Sequence, residues 1–368
     1  MRDPLRRAAL RKLSLAAASP LAYPLAYAAS LPLMSAARAE TPPRTIRIGV
    51  PAIVAQPKVY WGAPGIARYK GWFEEEFDKD GVRIEYVGFK GGAPMVGQAL
   101  ANGQIDLAGQ GDLLSIIGRS SGMQTRLVLP FTKLSNAYLV VRKDSGIRSV
   151  ADLRGKKVAY FKGNQIHLQV LRILALNGMA EKDIRSISLD PATAGSTLAG
   201  GDIDAIFSSA EVLTLRQKGI ADVVYSTKGQ PQLSSYNGLV ATDSFVQKYP
   251  ETLTRLIKVY VKADQWTGDP ANRKEVVRIW AMGPLPNLYA EEDYDDRPWS
   301  ERFSPLFDPL LVQHYKRTQD QIAEQGLLRG PRVDIDQWID ARFLNVALKE
   351  LGLEKYWAPL GLDGKPLT

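Results

Sequence analysis

From Thr45 onward the hydrophobic positions switch repeatedly between a period of two and a period near 3.6. Thr45–Pro51 alternates branched apolar and polar residues and predicts a first strand. Ile66–Phe77 carries apolar residues at helical spacing, with Gly71 in its middle. Val82–Val87 predicts a strand, Met95–Ala101 a helix, Ile105–Ala108 a strand and Leu113–Ser120 a helix. Arg126–Pro130 is extended, and the very apolar Ala137–Arg142 predicts another strand. A second cycle then begins. Val150–Gly155 leads into a strand at Lys157–Phe161, and Lys162-Gly163-Asn164 opens a helix that ends near Asn177 and Gly178. Ile184–Leu189 predicts a strand, Thr193–Leu198 a helix and Ile203–Phe207 a strand. After Val223–Tyr225 and a Gly229–Pro231 turn, Gly238–Ala241 predicts a strand that crosses back. From Ser244 to Trp357 the pattern is mainly helical, interrupted by an acidic segment, Ala290–Pro298, expected to be a solvated loop. Strands alternating with helices predict an α/β architecture with largely parallel pairing.

The two cycles share a short pattern. Leu100-Ala101-Asn102-Gly103-Gln104-Ile105-Asp106 lines up with Leu198-Ala199-Gly200-Gly201-Asp202-Ile203-Asp204, 98 positions later. Each copy reads as a helix end, a glycine that accepts the left-handed cap conformation, Ile-Asp, and a short buried strand. Each strand ends in small and polar residues, Gly109-Gln110-Gly111-Asp112 in one and Ser208-Ser209-Ala210-Glu211 in the other. Taken alone, Gly-x-Ile-Asp is also a common helix-to-strand turn. Two such halves, both ending in polar groups, point to two lobes facing one cleft. Asp106 and Asp204 read as turn-stabilising carboxylates rather than an acid–base pair.

The first 39 residues carry a different message. Arg2, Arg6, Arg7, Arg11 and Lys12 form a positive start, an alanine-rich apolar stretch runs from Leu13 to Met34, and Ala37-Arg38-Ala39 precedes Glu40. This is the layout of a cleavable secretory signal, cut near Ala39-Glu40. Pro20 and Pro24 interrupt the stretch and argue against a spanning helix. The formal charge of +8 includes six bases and one acid from residues 1–39, so removing that +5 leaves +3. A mild, dispersed charge gives no argument for nucleic acid. The chain has no cysteine, which excludes disulfides, Fe–S clusters, thiol nucleophiles and a lipid-anchored mature terminus. Its two histidines, His167 and His314, lie far apart and make neither a zinc site nor a Ser-His-Asp triad, and no cofactor is implied.

Four stretches between Ile46 and Gln247 carry a family resemblance: Ala67-Arg68-Tyr69-Lys70-Gly71-Trp72-Phe73-Glu74, the segment from Phe89 to Gly111, Ser149–Ala159, and Lys162-Gly163-Asn164-Gln165-Ile166-His167. In these the chain resembles the substrate-binding proteins of ABC importers for sulfonates, nitrate and taurine, of the aliphatic-sulfonate type. The resemblance implies a type II periplasmic-binding-protein fold, two α/β lobes joined by two hinge segments, closing on a ligand by hinge bending; periplasmic binding proteins are a stock example of such closure. The expected organisation is a signal at 1–39, a first lobe from 45–136 plus 238–368, and a second lobe at 137–237, with hinges near Asn136–Ala137 and Tyr236–Gly238. The expected role is periplasmic capture of a small organic anion, an alkane- or aryl-sulfonate first, by a monomer that delivers it to permease and ATPase subunits in the inner membrane. Taurine or nitrate binding, a non-transport sensor, and a pyrimidine-synthase-like enzyme on the same scaffold stay open. The sequence departs from the sulfonate binders in three places. Ser208–Glu211 stands where they carry Trp-Asp-Pro, Asn164-Gln165 replaces Ser-Asn, and the loop at Ala55–Pro64 is longer and richer in aromatics.

Candidate ligand contacts follow from chemistry and position. A helix start offers free N–H groups and partial positive charge to an oxyanion, so Gly163, Asn164 and Gln165 are candidates, with a plain Asn cap as the competing role. Gln110 and Gly111 make the equivalent turn in the first lobe, and Asp112 is either a contact or a helix cap. The hydroxyls of Ser208 and Ser209 can bond an oxyanion. Glu211 would repel one, and so would bind an ammonium, point away, or pair with a base. Were Glu211 and Asp112 both to face the cleft, a zwitterion such as taurine would fit. Tyr60 and Trp61 would pack an organic tail or fill the core, and His167 is a contact or a structural histidine.

Overall fold

The computed structural model describes residues 40–51, 62–90, 92–282 and 289–367, and those residues form one compact unit. The expected signal segment, Tyr60 and Trp61 lie outside the described residues. The strands are β1 (Thr45–Pro51), β2 (Arg83–Phe89), β3 (Leu107–Gly111), β4 (Thr125–Ser135), β5 (Tyr138–Arg142), β6 (Lys157–Tyr160), β7 (Arg185–Ser188), β8 (Ala205–Ser208), β9 (Ala221–Ser226) and β10 (Ser235–Thr242). The helices up to the second crossing are α1 (Ala63–Tyr69), α2 (Trp72–Phe77), α3 (Ala93–Ala101), α4 (Asp112–Ser120), α5 (Gln165–Leu176), α6 (Pro191–Gly200) and α7 (Leu213–Gln217). Those after it are α8 (Asp243–Lys248), α9 (Pro250–Gly268), α10 (Arg273–Trp280), α11 (Ala290–Asp293), α12 (Trp299–Arg302), α13 (Pro309–Glu324), α14 (Ile335–Trp338) and α15 (Arg342–Leu351).

Two five-stranded sheets result, in the orders β2-β1-β3-β10-β4 and β7-β6-β8-β5-β9. They are copies of one topology. In each, three strands pair in parallel and a fourth, β10 or β5, enters antiparallel between its neighbours. The sheets are therefore mixed rather than largely parallel. The reason is that β5 and β10 are the strands by which the chain enters each sheet from the other, so they run against the rest. The first crossing passes Asn136, and the second lies between Ser226 and Ser235, so Tyr236–Gly238 sits inside β10. The crossings run side by side: Ala137 donates to Thr227 Oγ1 at 2.8 Å, and the Thr227 amide to the Ala137 carbonyl at 3.0 Å.

The repeated Ile-Asp does the same work in both sheets. Asp106 N–H donates to Arg47 O at 2.9 Å, and Arg47 N–H returns to Asp106 Oδ2 at 2.9 Å. Asp204 N–H donates to Lys157 O at 2.9 Å, and Lys157 N–H returns to Asp204 Oδ2 at 2.8 Å. Each aspartate thus splices the start of the third strand onto the first. In the first sheet Gly49 makes room for this turn, because a Cβ there would lie 2.3 Å from Ile105 Cδ1. The break between α1 and α2 falls at Gly71, whose φ of 74° is left-handed.

Both faces of the first sheet are covered, and β10 shows it: Leu239 and Ala241 join the core under α1 and α9, while Tyr236 and Val240 join the one under α3, α4 and α13. In the second sheet, Leu139 and Val141 of β5 pack toward α5, and Tyr138 and Val140 toward α6 and α7. Burying both faces is what makes these strands read as continuous apolar runs. Among the described residues no helix is long and apolar enough to cross a membrane.

Candidate functional site

The second-lobe helix α5 begins at Gln165 because Asn164, in extended conformation, turns its side chain back to accept the Gln165 amide at 2.8 Å. Gly163 before it has φ 79°, a conformation that favours glycine. On the first-lobe side, β3 runs into α4 through Gly111. These two helix starts meet. A Cβ at Gly111 would lie 3.4 Å from Gln165 Cβ and 3.2 Å from Asn237 Oδ1. A second contact closes the same face, since a Cβ at Gly92, the N-cap of α3, would lie 3.3 Å from Phe161.

Between the sheets lies a cavity of about 230 Å³. Thr132 and Asn237 line it from the first sheet, and Ser135 and Asn136 from the crossing. Gln165, Ser209 and Glu211 line it from the second lobe, and Asp293 and Tyr294 close it. Of the sequence candidates, the structure therefore brings Gln165, Ser209 and Glu211 to one cavity, with Gly111 against its wall. Ser208 is buried and donates to Glu211 Oε1 at 2.5 Å, so it holds the carboxylate rather than lining the space.

The remaining candidates are placed elsewhere. Gln110 is buried with its amide against Gly97 of α3. Asp112, the first residue of α4, is 1% exposed, accepts the adjacent Leu113 N–H at 2.8 Å, and bonds His314 Nε2 at 2.5 Å. Burial pushes that histidine down to about 4, against the upward pull of the carboxylate. Gly163 and Asn164 shape the helix start without lining the cavity. His167 is half-buried, lies 5.7 Å from the Tyr160 ring and accepts the Gly163 amide at 3.4 Å, a structural setting that burial pushes down in pKa.

Sequence reasoning missed the acidic segment. The stretch expected to be a solvated loop instead forms α11 and a wall of the cavity, because aromatic packing anchors it. Tyr294 is 3% exposed and sits 5.5 Å from Trp299 and 5.8 Å from Phe303, ring to ring. Asp293 is 6% exposed; its Oδ1 accepts Tyr138 OH at 2.7 Å and Asn136 Nδ2 at 3.1 Å. Burial raises its pKa, as it does that of Glu211. Arg302 braces the segment to the crossing by donating to the carbonyls of Leu134 and Asp293 and to Asp296. Leu134, near the end of β4 and two residues before Asn136, has φ 59°, the only left-handed non-glycine among the described residues. The acids of the segment also pair with the second lobe, Glu292 with Arg216 and Asp295 with Lys228.

Residues 65–272, more than half of the chain, match the NMT1/THI5-like family. The chain belongs to that family. Among solved structures it is similar to the periplasmic sulfonate-binding protein SsuA from Methylobacillus flagellatus KT, with 31% identity, a TM-score of 0.75, and coverage of 86% of this chain and 97% of that one. The periplasmic aliphatic sulphonate binding protein SsuA from Escherichia coli is 25% identical, with a TM-score of 0.63 and coverage of 89% and 96%. The taurine-binding periplasmic protein of Escherichia coli (strain K12) is 23% identical over 72% of this chain and 85% of its own length. The chain shares the type II periplasmic-binding-protein fold of these relatives, and its cavity lies between the two sheets. These relatives are named as periplasmic binding proteins, and the fold is shared at 18% identity by a desulfurization enzyme, DszB.

Proposed function

We infer that this protein is the exported solute-binding component of an ABC importer, and that it holds a small organic sulfonate in the cavity between its lobes. The observation that carries the reading is the meeting of Gly111 and Gln165, which sets the N-termini of α4 and α5, one from each lobe, against one cavity. The partial positive charge at such helix starts suits an oxyanion. Ser209, Asn237 and Thr132 add neutral polar groups that orient a ligand without a fixed countercharge. The chain does no chemistry on its ligand. In the proposed cycle the lobes separate about the crossings at Asn136 and 227–234, admit the ligand, and close on it. The closed monomer then presents both lobes to a permease and its ATPase. Export through the signal at 1–39, cut near Ala39-Glu40, belongs to the same reading.

The test is a thermal-shift screen of the exported protein against alkanesulfonates, aminosulfonates, arylsulfonates, nitrate and matched carboxylates. A ligand that binds only the folded state stabilises it by RT ln(1 + [L]/Kd), about 2.7 kcal/mol at a hundredfold excess over Kd. The expected result is a saturable rise in Tm with at least one sulfonate and none with its carboxylate match. A rise with carboxylates or nitrate alone would overturn the sulfonate assignment.

A further inference from the structure

The charge inside the cavity is of the wrong sign for a simple sulfonate. Glu211 and Asp293 both line it, and no lysine or arginine is among its described lining residues. The nearby cations make their hydrogen bonds and ion pairs with other groups, although the charge of Arg302 partly offsets that of Asp293. Arg302 is held by Asp296 and the carbonyls of Leu134 and Asp293, Arg216 by Glu292, and Lys228 by Asp295 and the Glu292 carbonyl. The two carboxyls are bonded by neutral groups, and one of them incompletely. Asp293 is 6% exposed and both of its side-chain hydrogen bonds, from Tyr138 and Asn136, arrive at Oδ1, which leaves Oδ2 with no hydrogen bond from the described residues. Glu211 takes the Ser208 hydroxyl on Oε1 and the backbone amides of Ser209 and Glu211, but no side-chain cation. Burial raises the pKa of both carboxyls; Asp293 adds repulsion to Glu211, and Asp296 to Asp293 against the pull of Arg302. A ligand that brought only a third negative charge would deepen that penalty. A ligand that brought a positive group would remove it and fill the open Oδ2.

We propose that the ligand is zwitterionic, an aminosulfonate whose ammonium sits between Glu211 and Asp293 while its sulfonate faces the helix starts at Gly111 and Gln165. The carboxyl that the sequence offered as Glu211's companion was Asp112; the structure commits Asp112 to His314 and supplies Asp293 instead. The proposal rests on the sulfonate reading above and adds the charge of the ligand's other end. A cavity of about 230 Å³ fits a molecule of a few carbons.

The experiment is isothermal titration of the exported protein with two matched pairs, 2-aminoethanesulfonate against ethanesulfonate and 3-aminopropanesulfonate against propanesulfonate. In at least one pair the amino compound is expected to bind tenfold or more tighter than its partner. In Glu211→Gln and Asp293→Asn the discrimination is expected to fall to threefold or less, with binding of the unaminated sulfonate kept or improved, because each variant removes a negative charge but keeps polar atoms in place. Equal or tighter binding of the unaminated sulfonates to the wild type would overturn this inference and leave the sulfonate reading standing. So would variants that weaken both members of a pair alike. Binding of neither member of either pair would overturn both.

Discussion

Gly111→Val isolates the contact on which the closed cleft depends. Gly111 has φ −70° and ψ 160°, so its backbone accepts any residue and the substitution costs no local strain. What it adds is volume between the lobes. A Cβ would already lie 3.2 Å from Asn237 Oδ1, 3.4 Å from Gln165 Cβ and 3.5 Å from Gln165 Oε1, and the two γ-carbons of valine reach about 1.5 Å further. Overpacking of this kind costs roughly 1–3 kcal/mol. At about 1.4 kcal/mol per decade, that weakens ligand binding roughly five- to 150-fold, provided the cost falls on the closed state alone. The part set against Gln165 falls there, because separating the lobes removes Gln165 from the added methyls; the part set against Asn237, which pairs with Gly111 in the same sheet, is carried by both states. Titration calorimetry reads the affinity, and urea unfolding of the ligand-free protein reads the stability. Affinity is expected to drop by more than ligand-free stability, which bears only the Asn237 part of the cost. Gly111→Ala, which asks its neighbours to move only a few tenths of an ångström, is expected to fall between the two. Unchanged affinity in Gly111→Val, or a loss of ligand-free stability equal to the loss in binding, would refute a mobile cleft at this point.

The remaining predictions concern the frame. Lys133 is 1% exposed and pairs with Asp308, the N-cap of α13, while donating to Leu306 O at 3.1 Å; Lys133→Met is expected to cost about 3–5 kcal/mol in urea unfolding, with Asp308→Asn in the same chain recovering part of it. His314, held near 4 in the fold against 6.5 when exposed, is neutral in the native protein while the unfolded chain takes up the proton first. Its contribution is therefore complete above pH 6.5 and lost as pH falls toward 4, with a ceiling of about 3 kcal/mol; the difference between wild type and His314→Gln across that window measures it. Asp204→Ala leaves the Lys157 amide without its carboxylate and Asp106→Ala does the same to Arg47, so each should cost about 1 kcal/mol. The half-exposed Arg47–Asp106 ion pair adds less than about 1 kcal/mol more to the second. A cost confined to one of the two would argue against their equivalence.

The parts of the molecule that were legible from sequence are those fixed by neighbours close along the chain. The strand at Thr45–Pro51, the Asn164 cap and the paired Ile-Asp turns all depend on local period or local hydrogen bonds, and they stand in the structure at those residues, whereas the single helical stretch expected over Ile66–Phe77 is broken at Gly71 by its left-handed backbone. The antiparallel direction of β5 and β10 was not legible, because strand direction is set by which sheet the chain arrives from. The site divides in the same way. Gln165, Ser209 and Glu211 reach the cavity because they directly follow strands that end there. Gln110 and Asp112 follow such a strand too, but Gln110 turns to Gly97 and Asp112 to His314, a partner 202 residues away that no local pattern names. Asp293 and Tyr294 were hidden by composition. Four carboxyls in Glu291–Asp295 read as solvent-facing, yet the basic partners Arg216, Lys228 and Arg302 and the rings of Trp299 and Phe303 hold the segment inward. The usable signal was the aromatic spacing Tyr294, Trp299 and Phe303, which marks a buried face beneath the charge.

The account stands or falls on whether a small sulfonate occupies the space between the lobes. Ser209→Trp fills that space from a half-buried position on the cavity wall, with little of the core disturbed. Calorimetric titration of the exported wild type with the tightest sulfonate from the screen is expected to give one saturable site, and the variant, unfolding in urea at the wild-type midpoint, is expected to give no measurable heat of binding. Full affinity in Ser209→Trp would place the ligand elsewhere and contradict the account.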